Sequence, residues 1–330
     1  MRVRVSPWAL SEMDSEFQTN KTNDIWDVVV IGGGPAGMMT AGGSAALGRK
    51  VLILEKNETL GKKLLITGGG RCNLTNNKVD TREMLLHYKG ESDFLFSAFS
   101  QFSVKDTLDF FHNHGMPTKE ESGGRVFPVS DRAQSVLDVL IGIIREKSVK
   151  VRSDSPVTDV SIDRTTGLFN IKTKGSIFKA HSCVIATGGT SRKETGSTGD
   201  GFIWLKKLGH TVIENNFALV PVALNDSWTK KLSGISLPEI KLTTYQNGEK
   251  QETNKGKLLF THFGISGPSV LNMSKEVGER LKYGEVTIML DLFPSLDPGA
   301  LKNKLQALLI EESNKKLKNV LGNIIPSAMA

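Results

Sequence analysis

Three stretches carry residues whose types and spacing suit chemistry. The first is Gly32-Gly33-Gly34-Pro35-Ala36-Gly37, a G-x-G-x-x-G pattern at positions 32, 34 and 37. Gly32 permits a tight turn, Gly34 lets backbone approach a pyrophosphate, and Gly37 allows close helix–strand packing. A helix opening at Pro35 would turn unpaired N–H groups and partial positive charge toward phosphates. Glu55 follows Gly37 by 18 residues and closes the next apolar run, where an acid binds adenosine ribose hydroxyls. The pattern predicts dinucleotide binding rather than a merely structural turn. It does not separate FAD from NAD, and the acid argues against a 2′-phosphate at this place.

The second stretch runs from Gly61 to Asn76, with three consecutive glycines followed by Arg71, Cys72, Asn73 and Thr75. Such a loop has many backbone donors and few obstructing side chains, so it can lie against a flat ring and bond its polar edge. The third is Cys183-Val-Ile-Ala-Thr-Gly-Gly189, then Gly196-Ser-Thr-Gly-Asp-Gly201. Arg71 is suited to stabilising a reduced flavin or a carboxylate, against the alternative of a structural ion pair. Cys72 beside an arginine suggests a lowered thiol pKa, but without a C-x-x-C partner the packing reading leads. Cys183 in its apolar run is read as core. His262 is read as structural rather than as an acid, and His112 and His114 point to different helix faces, so no metal site is expected. No residue stands out as the catalytic acid. The phosphate loop of nucleotide triphosphatases and the G-x-S-x-G elbow are both absent.

The elements that must position these residues can be read from periodicity. Asp27–Ile31 and Lys50–Glu55 are apolar runs that predict buried strands, with a helix from Pro35 to about Leu47 between them. That is a strand–helix–strand unit of parallel-crossover size. Ser103 with Asp106 predicts a helix start, and Ser130 predicts another before Val136, Leu137, Leu140, Ile141 and Ile144. Gly123-Gly124 predicts a hairpin turn. Four strands are expected over 149–185 and a helix over 198–208; beyond 210, Asn247-Gly248 signals an antiparallel region, followed by a strand over 285–292. The stretch 297–321 reads as a basic amphipathic helix or pair. Residues 1–25 lack periodicity and are expected to form an extension, with Met13 an alternative start.

The chain resembles the bacterial NAD(P)/FAD-dependent flavoproteins called BaiN-like or aminoacetone oxidase-like. The matching strings are VVVIGGGPAGM, LGKKLLITGGGRCNLTN, GGRVFPVSDRAQSV, VIATGGTS with GSTGDGF, LVPV and GKLLFTHFGISGP, from residue 26 to about 330. The resemblance implies an α/β fold: a Rossmann-like FAD-binding domain over 26–208, and an inserted domain of antiparallel β-barrel plus a small helical part over 209–330. It also implies that Gly32, Gly34, Ala36 and Gly37 hold the pyrophosphate and Glu55 the ribose, with Pro35 and Lys56 also binding the cofactor. Lys63, Thr67, Gly69, Gly70, Arg71, Cys72 and Asn73 would line the cofactor, some near the flavin. Val157, in the strand before Ala186-Thr187-Gly188, would make a backbone contact to adenine, and Ala186, Thr187 and Gly188 would also bind the cofactor. NAD(P)H is the implied transient electron donor, and an organic small molecule or oxygen the acceptor. Family members carry a further segment with a GLYFAGE-like strand and a GGYN-like turn, which has no counterpart here. The chain is therefore expected to be truncated, and a non-catalytic dinucleotide-binding fragment is the rival reading.

Composition narrows the class. The 330 residues are 38% hydrophobic, enough for two domains with sizeable cores, and two cysteines cannot make a disulfide framework. Of 33 glycines, 16 fall within 32–70 and 188–201, which suggests binding loops rather than a linker. Val28–Gly48 is uncharged, but seven glycines and Pro35 break it, so no membrane span is expected. With no signal-peptide core, the expected location is cytoplasmic. The formal charge of +7 is scattered in pairs, so nucleic-acid binding is disfavoured, an RNA-directed flavoprotein being the weaker alternative. The oligomeric state is left open.

Overall fold

The computed structural model describes residues 24–88, 92–213 and 218–330. The expected extension over 1–25, with Met13, lies outside the described residues except for Asp24 and Ile25; Ile25 already opens a strand. The described residues form two units, dividing between Val212 and Ile213.

In chain order the first unit contains β1 (Ile25–Ile31), α1 (Pro35–Ala46), β2 (Val51–Leu54), β3 (Thr75–Asn76), α2 (Thr81–Leu85), α3 (Ser92–Gln101) and α4 (Val104–Asn113). There follow β4 (Thr118–Glu121), β5 (Arg125–Pro128), α5 (Ala133–Glu146), β6 (Lys150–Arg152), β7 (Val157–Ile162), β8 (Phe169–Thr173), β9 (Ile177–Ile185) and α6 (Asp200–Lys207). Six strands form one sheet in the order β6-β2-β1-β9-β8-β7. The first four are parallel, and β9, β8 and β7 continue as antiparallel neighbours. Strands β3, β5 and β4 make a separate small sheet.

Alternation along β1 divides its side chains between two cores, as the two-residue strand period requires. Val30 packs with Met38 and Ala41 of α1 and with Val136, Leu137, Leu140 and Ile144 of α5. Val29 and Ile31 face the other layer, with Leu52, Leu54, Val160, Ile171 and Trp204. Each fully buried aliphatic side chain contributes about 1.5–3 kcal/mol. Both faces of β1 are covered, and a continuous Val-Val-Val-Ile run is what such a strand needs.

Helix α4 has the expected capping box: Ser103 Oγ accepts from Asp106 N–H while the Asp106 carboxylate accepts from Ser103 N–H. Helix α5, expected from Ser130, instead begins at Ala133. The reason is local: Asp131 takes a left-handed φ of 53°, incompatible with a helix, and Ser130 Oγ shares a hydrogen bond with Ser135 Oγ. Gly123 and Gly124 both take positive φ and close the β4–β5 turn.

The second unit contains β10 (Val222–Ala223), β11 (Ser236–Gln246), β12 (Glu249–Phe260), β13 (Gly264–Ser266), α7 (Pro268–Arg280), β14 (Val286–Asp291), α8 (Pro298–Glu311) and α9 (Leu317–Leu321). Its strands pair antiparallel in the order β10-β13-β12-β11-β14. The Asn247–Gly248 turn, with φ of 52° and 80°, joins β11 to β12. Val270, Met273 and Val277 of α7 pack on Leu242, Leu258 and Phe260 of the sheet. The stretch expected as a basic helix or pair is the pair α8 and α9.

Candidate functional site

The carboxyl ends of β1, β2 and β9 meet at the turn that starts α1. Gly32 N–H donates to Leu54 O at 2.8 Å, and Ala186 N–H donates to Ile31 O at 2.9 Å. Gly32 has φ of +108°, and a Cβ there would fall 2.5 Å from Ala186 O. A Cβ on Gly37 would fall 1.9 Å from Gly32 O, so α1 seats directly on the turn. At Gly34, by contrast, a Cβ would meet nothing within 4 Å. No side chain caps α1, and its first turn holds no acid. Its amino-terminal N–H groups and positive dipole end are therefore left for a ligand.

A cavity of about 490 Å³ opens at this turn. Of the residues expected at a cofactor site, Gly32, Gly34, Pro35, Ala36, Glu55, Lys56, Lys63, Val157, Ala186, Thr187 and Gly188 line it. Gly37 does not, because it is the seat of the helix. Glu55 is buried at 6% exposure, and its carboxylate is held from both sides. Gly33 N–H donates to Oε2 at 2.6 Å, and Asn57 N–H and Nδ2 donate to Oε1 at 2.8 and 2.7 Å. Lys56 Nζ bonds Asp200 at 2.7 Å and Thr198 Oγ1 at 2.6 Å. The Lys56 hydrogen bond, reinforced by Thr198 and by the lysine charge, holds the Asp200 carboxyl below the usual range.

The structure does not bring Thr67, Gly69, Gly70, Arg71, Cys72 and Asn73 to this cavity. They follow Gly61–Lys63, which line it, in a run of tight turns over Leu64–Gly70 where Gly68, Gly69 and Gly70 all take positive φ. Thr67, Gly69, Gly70 and Asn73 are exposed. Arg71 makes the ion pair that was its alternative reading: its guanidinium bonds Glu121 at 2.7 and 3.4 Å and Asp131 at 3.3 Å. It also stacks 4.1 Å from the Phe127 ring centre. Lys119 bonds Asp131 at 2.5 Å, so one charged cluster ties the glycine loop to the β4–β5 hairpin.

Cys72 is buried, and burial pushes its thiol pKa up despite a hydrogen bond from Thr67; Cys183 is pushed up to about 12 by burial. Both thiols are therefore poor nucleophiles. His262 is exposed and sits edge-on to Phe263. His112 bonds Thr118 and His114 bonds Phe110 O, and no metal-holding cluster occurs among the described residues. Among the described residues no helix is long and apolar enough to cross a membrane. The cavity wall also includes Asn57, Ser155, Thr195, Ser197 and Trp204, which sequence reasoning did not single out. The Gly196–Gly201 string was the available signal for one of them, Ser197.

Residues 26–275 match the family described as HI0933-like protein Rossmann domain. A 3-dehydro-bile acid delta(4,6)-reductase of Clostridium scindens is 30% identical over 304 residues, covering 91% of this chain and 72% of that protein. A ribosomal RNA dihydrouridine synthase of Escherichia coli is 31% identical over 309 residues, covering 92% and 72%. Among solved structures, a 3-ketosteroid-delta4-(5alpha)-dehydrogenase from Rhodococcus jostii RHA1 aligns over 86% of this chain and 69% of its own, at 14% identity and a TM-score of 0.48.

Proposed function

Since the chain belongs to the HI0933-like family, a family of FAD-dependent oxidoreductases, we propose that it is a reductase of carbon–carbon double bonds conjugated to a carbonyl, with NAD(P)H as electron donor. The observation that carries the cofactor part is the uncapped α1 opening into a cavity that Glu55 also lines. The α1 amino end and the open face of Gly34 take the pyrophosphate. Glu55, its carboxylate oriented by Gly33 and Asn57, accepts from a ribose hydroxyl. Val157 and Ala186–Gly188, which line the cavity, form the wall for the adenosine; the ring extends beyond that cavity toward the 67–73 loop, which Arg71 holds on Glu121.

Bound FAD supplies the two-electron relay between a nicotinamide and an acceptor. The relatives' names support the acceptor class. A 3-oxo-4,6-diene and a uracil both present a double bond polarised by a carbonyl, and reduction adds hydride to the distal carbon and a proton next to the carbonyl. NAD(P)+ is the oxidised product. A nucleic-acid-borne acceptor is the second reading, favoured by the +7 formal charge and the Escherichia coli relative.

The test is anaerobic reconstitution with FAD, followed by NADH or NADPH and then an acceptor. Loss of oxidised-flavin absorbance with NAD(P)H, and its return with a 3-oxo-4,6-diene steroid or a uridine-containing RNA, is the expected result. Salt-sensitive RNA binding would select the second reading. Protein that takes up no flavin would overturn the proposal.

A further inference from the structure

The outer face of the second unit's sheet gathers charge that the sequence scatters. In β11, Ile240 and Leu242 point into the core, so Lys241 between them points outward. Lys255 of β12 is directly opposite Lys241, and Lys250 is directly opposite Tyr245. Lys257 follows Lys255 by one strand repeat, while Gly256 between them faces Ser269 of α7. Four ammonium groups therefore share one face, and Lys250, Lys255 and Lys257 are exposed. Helix α7 packs on the opposite face through Val270, Met273 and Val277. Met289 of β14, on the outer side opposite Thr243, is 55% exposed.

Acids on this face do not balance the lysines. Asp291 of β14 stands opposite Lys241 and pairs with it at 2.9 Å. The Lys241 hydrogen bond, helped by Phe293 N–H and by the charges of Lys241 and Lys255, holds the Asp291 carboxyl below its ordinary 3.8. One carboxylate thus answers two lysines. Glu239, in the bulged stretch of β11 between Leu237 and Ile240, is the other acid nearby. Among the described residues, Lys241 is the one lysine of the four that makes an ion pair. Like charges directly opposite each other destabilise a sheet, so the placing of Lys255 against Lys241 suits an anion outside the chain.

A row of ammonium groups with an aromatic ring alongside is the footprint of a nucleic-acid backbone. Half-buried Tyr245, opposite Lys250, gives a base a surface on which to stack. We infer that the outer face of β11 and β12 binds the phosphate backbone of a single-stranded RNA that carries the acceptor. The inference rests on the second reading above and deepens it, by naming the surface that holds the nucleic acid.

The experiment uses the full chain, with and without added FAD, and a fluorescently labelled single-stranded RNA containing uridine. Anisotropy measures the Kd across a salt series. Three to four neutralised phosphates give a slope of log K on log salt of about −2 to −3. The double variant Lys255→Gln with Lys257→Gln should flatten that slope by about 1.4, which weakens binding about 25-fold at about 0.1 M salt and closes toward about 1 M. Both side chains are exposed, so its melting temperature should stay within about 2 °C of wild type. Lys302→Gln with Lys304→Gln, an equal charge change on exposed positions of α8, should leave affinity within about twofold. Equal losses in the two double variants would reduce the effect to general attraction and overturn the inference. Protein that binds phosphatidylserine vesicles through these lysines but not RNA also overturns it. Protein that takes up FAD and reduces a 3-oxo-4,6-diene steroid without binding RNA overturns the RNA face alone. Protein that binds RNA through Lys255 and Lys257 but takes up no FAD keeps the face and overturns the flavin reading.

Discussion

Replacing Gly34 by alanine separates the needs of the ligand from those of the fold. Gly34 has φ of −76° and ψ of 178°, which alanine adopts freely, and a Cβ there meets nothing within 4 Å. Loss of glycine at the helix cap costs up to about 1 kcal/mol. The stiffer unfolded chain returns about 0.4–1 kcal/mol. The apoprotein should therefore melt within about 2 °C of wild type. If a pyrophosphate occupies the space against Gly34, the added methyl crowds it at about 1–3 kcal/mol. That is roughly a 5- to 150-fold rise in the Kd for FAD. Gly37→Ala is the contrasting case, because its Cβ would lie 1.9 Å from Gly32 O. Gly32 cannot retreat, since its own Cβ position is 2.5 Å from Ala186 O. About 3 kcal/mol or more of destabilisation follows, or roughly 6–12 °C in Tm. Thermal melting of the apoproteins and FAD titration by flavin fluorescence measure both. A Gly34→Ala protein that binds FAD with wild-type affinity would refute the placement of the phosphates.

The Arg71 cluster gives a pH dependence of definite sign. A hydrogen bond from Lys119, with Arg71 adding to it, holds the Asp131 carboxyl below its ordinary 3.8. A depressed carboxylate stabilises the fold above its unfolded pKa, and that contribution disappears as pH falls through the folded value. Asp131→Asn should lower Tm at neutral pH and speed amide exchange over 64–73, with the Tm difference from wild type vanishing in acid; an equal difference at all pH values would remove the ion pair as its source. Asparagine also tolerates the left-handed φ of 53° at this position, so the backbone is not the variable. The two thiols supply the other prediction. With Cys183 pushed to about 12 and Cys72 raised, neither should react with iodoacetamide at neutral pH until the protein is unfolded. Fast labelling of Cys183 in folded protein, read by mass spectrometry, would contradict the burial argument.

What could be read from the chain and what could not differ by the range of the interaction concerned. Strand β1, helix α1 and the capping box at Ser103 are local: periodicity, Pro35 and a three-residue spacing determine them, and the structure places them within a few residues of expectation. The start of α5 was misplaced because Asp131 is held by Lys119 and Arg71, 12 and 60 residues away. Sequence spacing carries no trace of such a partner. The same holds for Arg71. A guanidinium after three glycines reads equally as a ligand contact or as an ion pair, and only the β4–β5 hairpin, which delivers Glu121 and Phe127 to it, decides the matter. The glycines show the limit most clearly. Spacing marks 32, 34 and 37 as one motif, but the structure gives them different duties. Gly32 and Gly37 are glycines because backbone carbonyls lie 2.5 and 1.9 Å from where a Cβ would be. Gly34 alone is left facing open space. A fold that needed only a tight turn could carry a side chain there, so the bare backbone at Gly34 belongs to the ligand.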